Sequence, residues 1–127
     1  MTWSRQPVAA GLAAAFTAAD PTIAVFEIPP GTVNAPALMC TDPATVTKRV
    51  AGMGVDQTEF IVTAAVGLDQ ANEMSALLDL ADRAILADPT LGGVCYAAMV
   101  TEYRNYRHLM VGGADFRAAD IAIRIDM

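Results

Sequence analysis

The sequence predicts a single α/β domain of the α+β type, with a mostly antiparallel sheet of about four to five strands and two flanking helices. Three observations predict this fold. The length of 127 residues is that of one ordinary domain. Two segments carry apolar residues at the three- and four-residue spacing of amphipathic helices. The remaining apolar runs are rich in β-branched and aromatic residues, as strands are. No internal repeat or linker is apparent, so residues 1–127 are expected to form one domain.

The first predicted helix covers about residues 6–19. Pro7 suits the first turn of a helix, apolar residues recur at helical spacing from Val8 to Phe16, and Pro21 ends the pattern. The same stretch resembles a weak secretory signal, because one basic residue precedes an apolar run. Since that run is mostly alanine, we expect a helix of the domain.

Four strands are predicted in the first half of the chain. Residues 22–28 are rich in β-branched and aromatic side chains and end at a Pro-Pro-Gly turn, and a short strand at 37–40 follows. Weakly alternating residues at 45–50 and a more regular strand at 59–66 fit a hairpin, and a loop at 45–58 is the alternative. The connection of this hairpin is long and contains glycine.

A second helix is predicted at about 70–87, with Asp69 as its N-terminal cap and Glu73 in its first turn. A long C-terminal hairpin follows, with strands at 94–108 and 118–126 around a Gly-Gly turn. The polar end of this hairpin is expected to project beyond the core.

The composition excludes several classes of protein. Hydrophobic residues make up 54% of the chain and charged residues 17%, against about 25% in ordinary domains. Eight basic and 14 acidic residues give a net charge of −6, which argues against a protein that grips nucleic acid along a basic face. No apolar run reaches the roughly 18 residues that a membrane-spanning helix needs.

Residues with catalytic chemistry are few and scattered. Cys40 and Cys95 lie too far from other ligand residues for a zinc site, and two buried thiols or a single disulfide both fit the sequence. His108 is the only histidine. We therefore predict no catalytic, cofactor-binding or metal-binding residue and no cofactor. The alternative is a small α/β enzyme or ligand-binding domain in which Cys95, His108 and Glu102 converge.

One segment concentrates tyrosine and positive charge in this acidic chain. Interleaved Tyr and Arg stack on nucleotide bases, and both are also favoured anchors of protein interfaces. The net charge of −6 favours the protein interface. The predicted protein-interface residues are Tyr103, Arg104, Tyr106, Arg107, His108, Phe116 and Arg117, with Lys48 and Arg49 as additional loop contacts.

The order of these elements carries a family resemblance. A strand at 23–28 stops at a Pro-Gly break, and a strand at 59–67 ends in Val-Gly. The helix at 71–87 then runs into Asp-Pro-Thr-Leu-Gly-Gly-Val at 88–94, and a tyrosine-bearing hairpin closes the chain. In this order the chain resembles the tail terminator, or tail completion, proteins of long-tailed, non-contractile bacteriophages. Residues 45–58 have no counterpart in the resemblance.

The resemblance implies a structural virion protein. In that family, six copies form a ring that caps the tail tube, ends tail polymerisation and joins the head connector. The implied partners are further copies, the tail tube protein and the head–tail connector or stopper protein, without a membrane. The expected location is the tail–neck region of the virion, after assembly in the bacterial cytoplasm.

The resemblance also bears on DNA and on the alternatives. DNA would pass through the lumen of such a ring without specific binding, and an acidic ring would let it slide by repelling phosphate. The resemblance implies no catalytic residue. Another phage neck, head-completion or minor tail protein is the alternative within this class.

Overall fold

The computed structural model describes residues 5–40, 47–51 and 55–127, with side chains described at 5–40 and 57–127. Helix α1 comes first in the chain, and helix α2 lies between the fourth and fifth strands. The helices are α1 (Arg5–Ala19) and α2 (Ala71–Ala87), and the strands are β1 (Ala24–Phe26), β2 (Ala37–Cys40), β3 (Thr47–Ala51), β4 (Val55–Gly67), β5 (Ala97–Val111) and β6 (Ala114–Asp126).

The strands form one sheet in the order β1-β2-β4-β6-β5, and β3 pairs with the first part of β4 on the same side as β2. Every neighbouring pair is antiparallel except β1 and β2, which are parallel. The predicted α+β fold with a mostly antiparallel sheet is therefore confirmed. Its three longest strands, of 13 to 15 residues, are β4, β5 and β6, and the last two form the predicted C-terminal hairpin.

Both helices pack on the same face of the sheet. Alternation along β6 sends Ile121, Ile123 and Ile125 to this face, and all three are fully buried. They join the buried stripes of the helices, which include Phe16 of α1 and Ile85 of α2, in one continuous core. The helix periodicity read from the sequence thus corresponds to the two faces that cover the sheet.

No helix of the described residues lies on the opposite face of the sheet. Beside the end of the C-terminal hairpin, a smaller apolar cluster forms around Met39, Ala65 and Phe116. Leu109 of β5 and Val33 of the β1–β2 connection pack against it. The end of the hairpin, predicted to project beyond the core, therefore has a small core of its own.

Two predicted details of α2 and β4 are wrong. The cap of α2 is Gln70, without a side-chain cap hydrogen bond, so Asp69 does not cap the helix. A tight turn takes the place of the predicted Asp69 cap. The Gln70 backbone amide donates to the Gly67 carbonyl at 3.0 Å, and the Gln70 side-chain oxygen accepts from the Gly67 amide at 3.2 Å. The β3–β4 hairpin is present, but β4 begins at Val55, so its connection is shorter than expected.

Candidate functional site

β5 forms one edge of the sheet, and no strand in the described part of the chain pairs with its outer side. Eight large hydrophobic side chains of the described residues are exposed, and five of them lie on or directly before this strand. The other three are scattered over the β1–β2 connection, the end of β4 and α2. We call the set of five the β5 edge surface: Tyr96, Met99, Tyr103, Tyr106 and Met110.

Arg104 and Arg107, the arginines of the segment rich in tyrosine and positive charge, form ion pairs within the chain. Arg104 forms ion pairs with Glu59 of β4 and Glu102 of its own strand. The hydrogen bond to Glu59 is the main cause that raises the pKa of Arg104. Arg107 pairs with the largely buried Asp120 at 3.0 Å. The positive charge that the sequence suggested for this surface is therefore neutralised within the chain.

The other two C-terminal arginines also have partners within the chain. Arg117 donates from Nε to the Leu68 carbonyl at 2.9 Å, and Arg124 lies 3.4 Å from Asp126. The sequence predicted tyrosines and arginines acting together at an interface. The structure separates them, because the tyrosines face solvent while the arginines bind carboxylates and carbonyl groups.

A β-bulge places Tyr106 outward. In the backbone register of the two strands, Arg104 lies opposite Asp120 and Arg107 lies opposite Ala118. Asn105 and Tyr106 together therefore oppose one residue of β6. Asn105 adopts a positive φ of 56°, a conformation that asparagine tolerates better than most residues. Tyr106 is 57% exposed as a result.

A buried carboxylate holds this bulge. Asp120 accepts hydrogen bonds from the Thr63 hydroxyl, the Asn105 amide and the Arg107 guanidinium, each at 3.0 Å. We call these four residues the Asp120 cluster. Thr63 and Asp120 are 4% and 9% exposed, so water has little access to them. The hydrogen bond between them therefore satisfies the hydrogen-bonding capacity of two buried polar groups.

Tyr103 is only partly available to a partner. Its hydroxyl donates to the Leu78 carbonyl of α2 at 3.2 Å, while 45% of its surface stays exposed. Burial raises the pKa of the Tyr103 hydroxyl, and Asp82 and Asp79 raise it further. Tyr103 therefore links the edge strand to the helix layer and contributes one exposed ring face.

One of the predicted contact assignments is corrected. Phe116 is 7% exposed and packs in the small cluster with Met39 and Ala65, so it offers no surface contact. Lys48 and Arg49 lie in strand β3, which agrees with a hairpin at this segment, and their side chains are outside the described residues. His108 is exposed on β5.

Sequence reasoning missed Tyr96, Met99 and Met110. They fall in a run that looks like any apolar strand, and only the strand order shows that this strand is an edge. The signal available in the sequence was the polar end of the predicted hairpin. It indicated Tyr103 and Tyr106 but none of these three residues.

The residues of the enzyme alternative do not converge. Cys95 precedes β5 and His108 lies near its far end, and a strand of that length separates them by roughly 35 Å. Burial raises the pKa of the Cys95 thiol, and Asp126 and Asp88 raise it further. Burial likewise raises the pKa of the Cys40 thiol to about 12. Both cysteines are free and buried, so neither has the thiolate character of a nucleophile.

Charged side chains of the chain line one polar cavity. A cavity of about 300 Å³ lies between β4, β5 and β6 and includes Glu59, Glu102 and Arg124 in its lining. Both glutamates form ion pairs with Arg104. Among the described residues, no group of three or more His, Cys, Asp or Glu side chains is arranged to hold a metal ion.

None of the helices in the described ranges is long and apolar enough to cross a membrane. No protein-family model matches the chain, and no curated protein shows significant similarity to it. The functional argument therefore depends on the residues and on the surface geometry.

Proposed function

We propose that this chain is a structural virion protein of the tail terminator type. Copies of it would form a ring that caps the phage tail tube, ends tail polymerisation and joins the head connector. The observation that carries the proposal is the β5 edge surface, where exposed aromatic and methionine side chains are concentrated on a strand whose outer side pairs with no described strand. Tyrosine and methionine are enriched in protein interfaces, and apolar side chains that cluster on a surface mark such sites.

The area of this surface suits association between subunits. A tyrosine or another large side chain buries about 150–250 Å² when covered. The five side chains are 44% to 67% exposed, which leaves about 500 Å² of coverable surface. A standard interface takes about 800 Å² from each partner, so an interface that covered these side chains on both faces of the β5 edge would take more than half of its area from them.

The internal pairing of the arginines supports the same proposal over nucleic-acid recognition. A protein that grips DNA presents unpaired Arg and Lys to the phosphates, and those contacts dominate its affinity. Here Arg104 and Arg107 are already bound to carboxylates. DNA would therefore pass a ring of these subunits without specific binding.

The mass of the native assembly tests the proposal. We expect light scattering to show a sixfold particle, either for the protein alone or after addition of the tail tube protein. A ring with a different number of copies would favour another neck or minor tail protein. A monodisperse monomer under both conditions would refute the proposal.

A matched pair of substitutions tests the role of the β5 edge surface. Tyr106→Ala removes a side chain that is 57% exposed, and we expect it to weaken association about tenfold or more, as interface tyrosines do. Leu86→Ala is the control, since Leu86 is 67% exposed but belongs to α2 and not to the β5 edge surface. Arg107 is left intact because its loss would expose Asp120 and disturb the fold. Equal association of the two variants would remove the β5 edge surface from the proposal.

A further inference from the structure

We infer that Asp120 is a positioning residue for the proposed interface, because this buried carboxylate fixes the β-bulge that presents Tyr106 to a partner. This inference rests on the association proposed above and deepens it, since it names a residue on which association depends from behind the contact surface. Asp120 is 9% exposed, whereas Tyr106 is 57% exposed. The tyrosine is therefore open to a partner, and the carboxylate acts from inside the sheet.

Both neighbours of Tyr106 bind this one carboxylate. The Asn105 side-chain amide donates to Asp120 Oδ2 at 3.0 Å, and Arg107 Nη1 donates to Asp120 Oδ1 at 3.0 Å. Arg107 Nη1 also donates to the Asn105 carbonyl at 2.9 Å, so the two neighbours are joined to each other as well. The backbone on either side of Tyr106 is therefore held, and the direction of the tyrosine ring follows from that backbone.

The bulge needs such support. Asn105 has a positive φ of 56°, and a residue other than glycine keeps this conformation only where its surroundings impose it. The carboxylate that binds Asn105 is itself anchored from the centre of the sheet, since the Thr63 hydroxyl of β4 donates to Asp120 at 3.0 Å. Thr63 is 4% exposed, so this anchor is shielded from water. The contacts thus run from β4 through β6 to the bulge in β5.

The same bulge sets which side chains of the hairpin end face outward. Beyond it, Leu109 lies opposite Phe116 in the register, and both pack in the small apolar cluster. Met110, the next residue, points to the other face and is 67% exposed. Because side chains alternate, a slip of one residue in this register would exchange the directions of Leu109 and Met110. Loss of the bulge would therefore displace two residues of the β5 edge surface, Tyr106 and Met110.

Tyr103 offers a comparison within the same surface. It lies before the bulge, and its hydroxyl donates to the Leu78 carbonyl of α2 at 3.2 Å. The position of this tyrosine is therefore fixed by a contact of its own. Replacement of Asp120 should accordingly act through Tyr106 and leave the contribution of Tyr103 to association unchanged.

A double-mutant cycle on association tests this inference. Asp120→Asn keeps an acceptor for Thr63 but loses the charge that binds Arg107. We expect it to weaken association about tenfold, as Tyr106→Ala is expected to do. In a protein that already carries Tyr106→Ala, the same replacement should weaken association by less than about threefold, because the ring that Asp120 positions is gone. In a Tyr103→Ala protein, it should still weaken association about tenfold. The concentration dependence of light scattering measures each dissociation constant.

Asn105→Gly is the second variant, and it decides the question if Asp120→Asn does not fold. Glycine accepts the positive φ, so only the exposed amide that binds Asp120 is lost. We expect this variant to weaken association about threefold in the parent protein, and not at all in a Tyr106→Ala protein.

Ile85→Val is the control for stability. Ile85 is 1% exposed in α2 and belongs to neither the β5 edge surface nor the Asp120 cluster, so its replacement lowers stability without touching the bulge. Its association should equal that of the parent protein. A loss from Ile85→Val as large as that from Asp120→Asn would show that Asp120 acts only through the stability of the fold, and would overturn the inference.

The remaining outcomes separate the inference from the proposed function. Equal losses from Asp120→Asn with and without Tyr106→Ala would overturn the inference, because the two residues would then act independently. Unchanged association in both Asp120→Asn and Asn105→Gly would overturn it too, and a loss from Tyr106→Ala in the same assay would leave the proposed interface intact. If Tyr106→Ala has no effect, the proposed interface fails and the inference fails with it.

Discussion

Replacement of Asp120 by alanine should cost about 2.5 kcal/mol of folding free energy, because this carboxylate satisfies three donors at once. The bond from Thr63 lies where water has little access, and a hydrogen bond to a charged group there is worth about 1.5 kcal/mol. The Arg107 side chain is 37% exposed, so solvent screening reduces the ion pair to about 0.5 kcal/mol. Asn105 is exposed and regains most of its bond from water, which leaves about 0.5 kcal/mol.

Urea denaturation followed by circular dichroism measures this loss. With m of about 1–3 kcal/mol/M, a loss of about 2.5 kcal/mol lowers the midpoint by about 0.8–2.5 M. Asp120→Asn keeps an acceptor for Thr63 but loses the charge, so its cost should be about 1 kcal/mol. Asp115→Ala, an exposed aspartate of the same strand, is the control and should stay within about 0.5 kcal/mol of the parent protein. If Asp120→Ala and Asp115→Ala have the same midpoint, the Asp120 cluster contributes nothing to the fold.

Two further predictions concern a buried thiol and a tight turn. Burial raises the pKa of Cys40 from its ordinary value of 9.0 to about 12, so its contribution to stability is complete below pH 9 and is lost as the pH rises towards 12, where the unfolded chain ionises first. Cys40→Ala should therefore lose less stability than the parent protein between pH 9 and 12 in urea titrations, and parallel curves would contradict this. Gly112 has a φ of +59°, and a Cβ there would lie 2.6 Å from the Gly31 carbonyl oxygen, so Gly112→Ala should cost about 1–3 kcal/mol. Gly31→Ala meets nothing within 4 Å and should cost less than about 0.5 kcal/mol, and equal melting temperatures for the two would exclude the clash.

Elements whose pattern depends only on their own residues could be predicted from the sequence. The strict alternation at 120–126 defined both the strand and its buried face, and the spacing from Met74 to Ile85 defined the buried stripe of α2. The cap of α2 could not be predicted, because Asp69 and Gln70 are both compatible with a helix start. The turn that follows β4 decides between them, since Gln70 bonds back to Gly67.

The site was predicted in part, and the missing part depends on contacts between distant residues. The segment at 103–108 was correctly placed at the end of a long hairpin, yet its arginines were assigned to a partner. Arg104 and Arg107 find Glu59 and Asp120, which lie 45 and 13 positions away in the chain. A local pattern of Tyr and Arg contains no information about such carboxylates. The strand order, which makes β5 an edge, is equally invisible to it.

Because the arginines form ion pairs within the chain, its net negative charge bears on how the chain would interact with DNA. Net charges of −6 can arise from acidic patches beside free basic groups, and such a protein still binds phosphate at its basic sites. In the part of the chain whose side chains are described, Arg83, Arg104, Arg107 and Arg124 all form ion pairs with carboxylates. A DNA phosphate would have to displace a carboxylate that is already held in place. In the ring proposed above, a passing duplex would meet the excess negative charge, and DNA would move through without being held. A ring whose lumen is lined by Arg104, Arg107 and Lys48, with these side chains turned towards DNA, would contradict this argument.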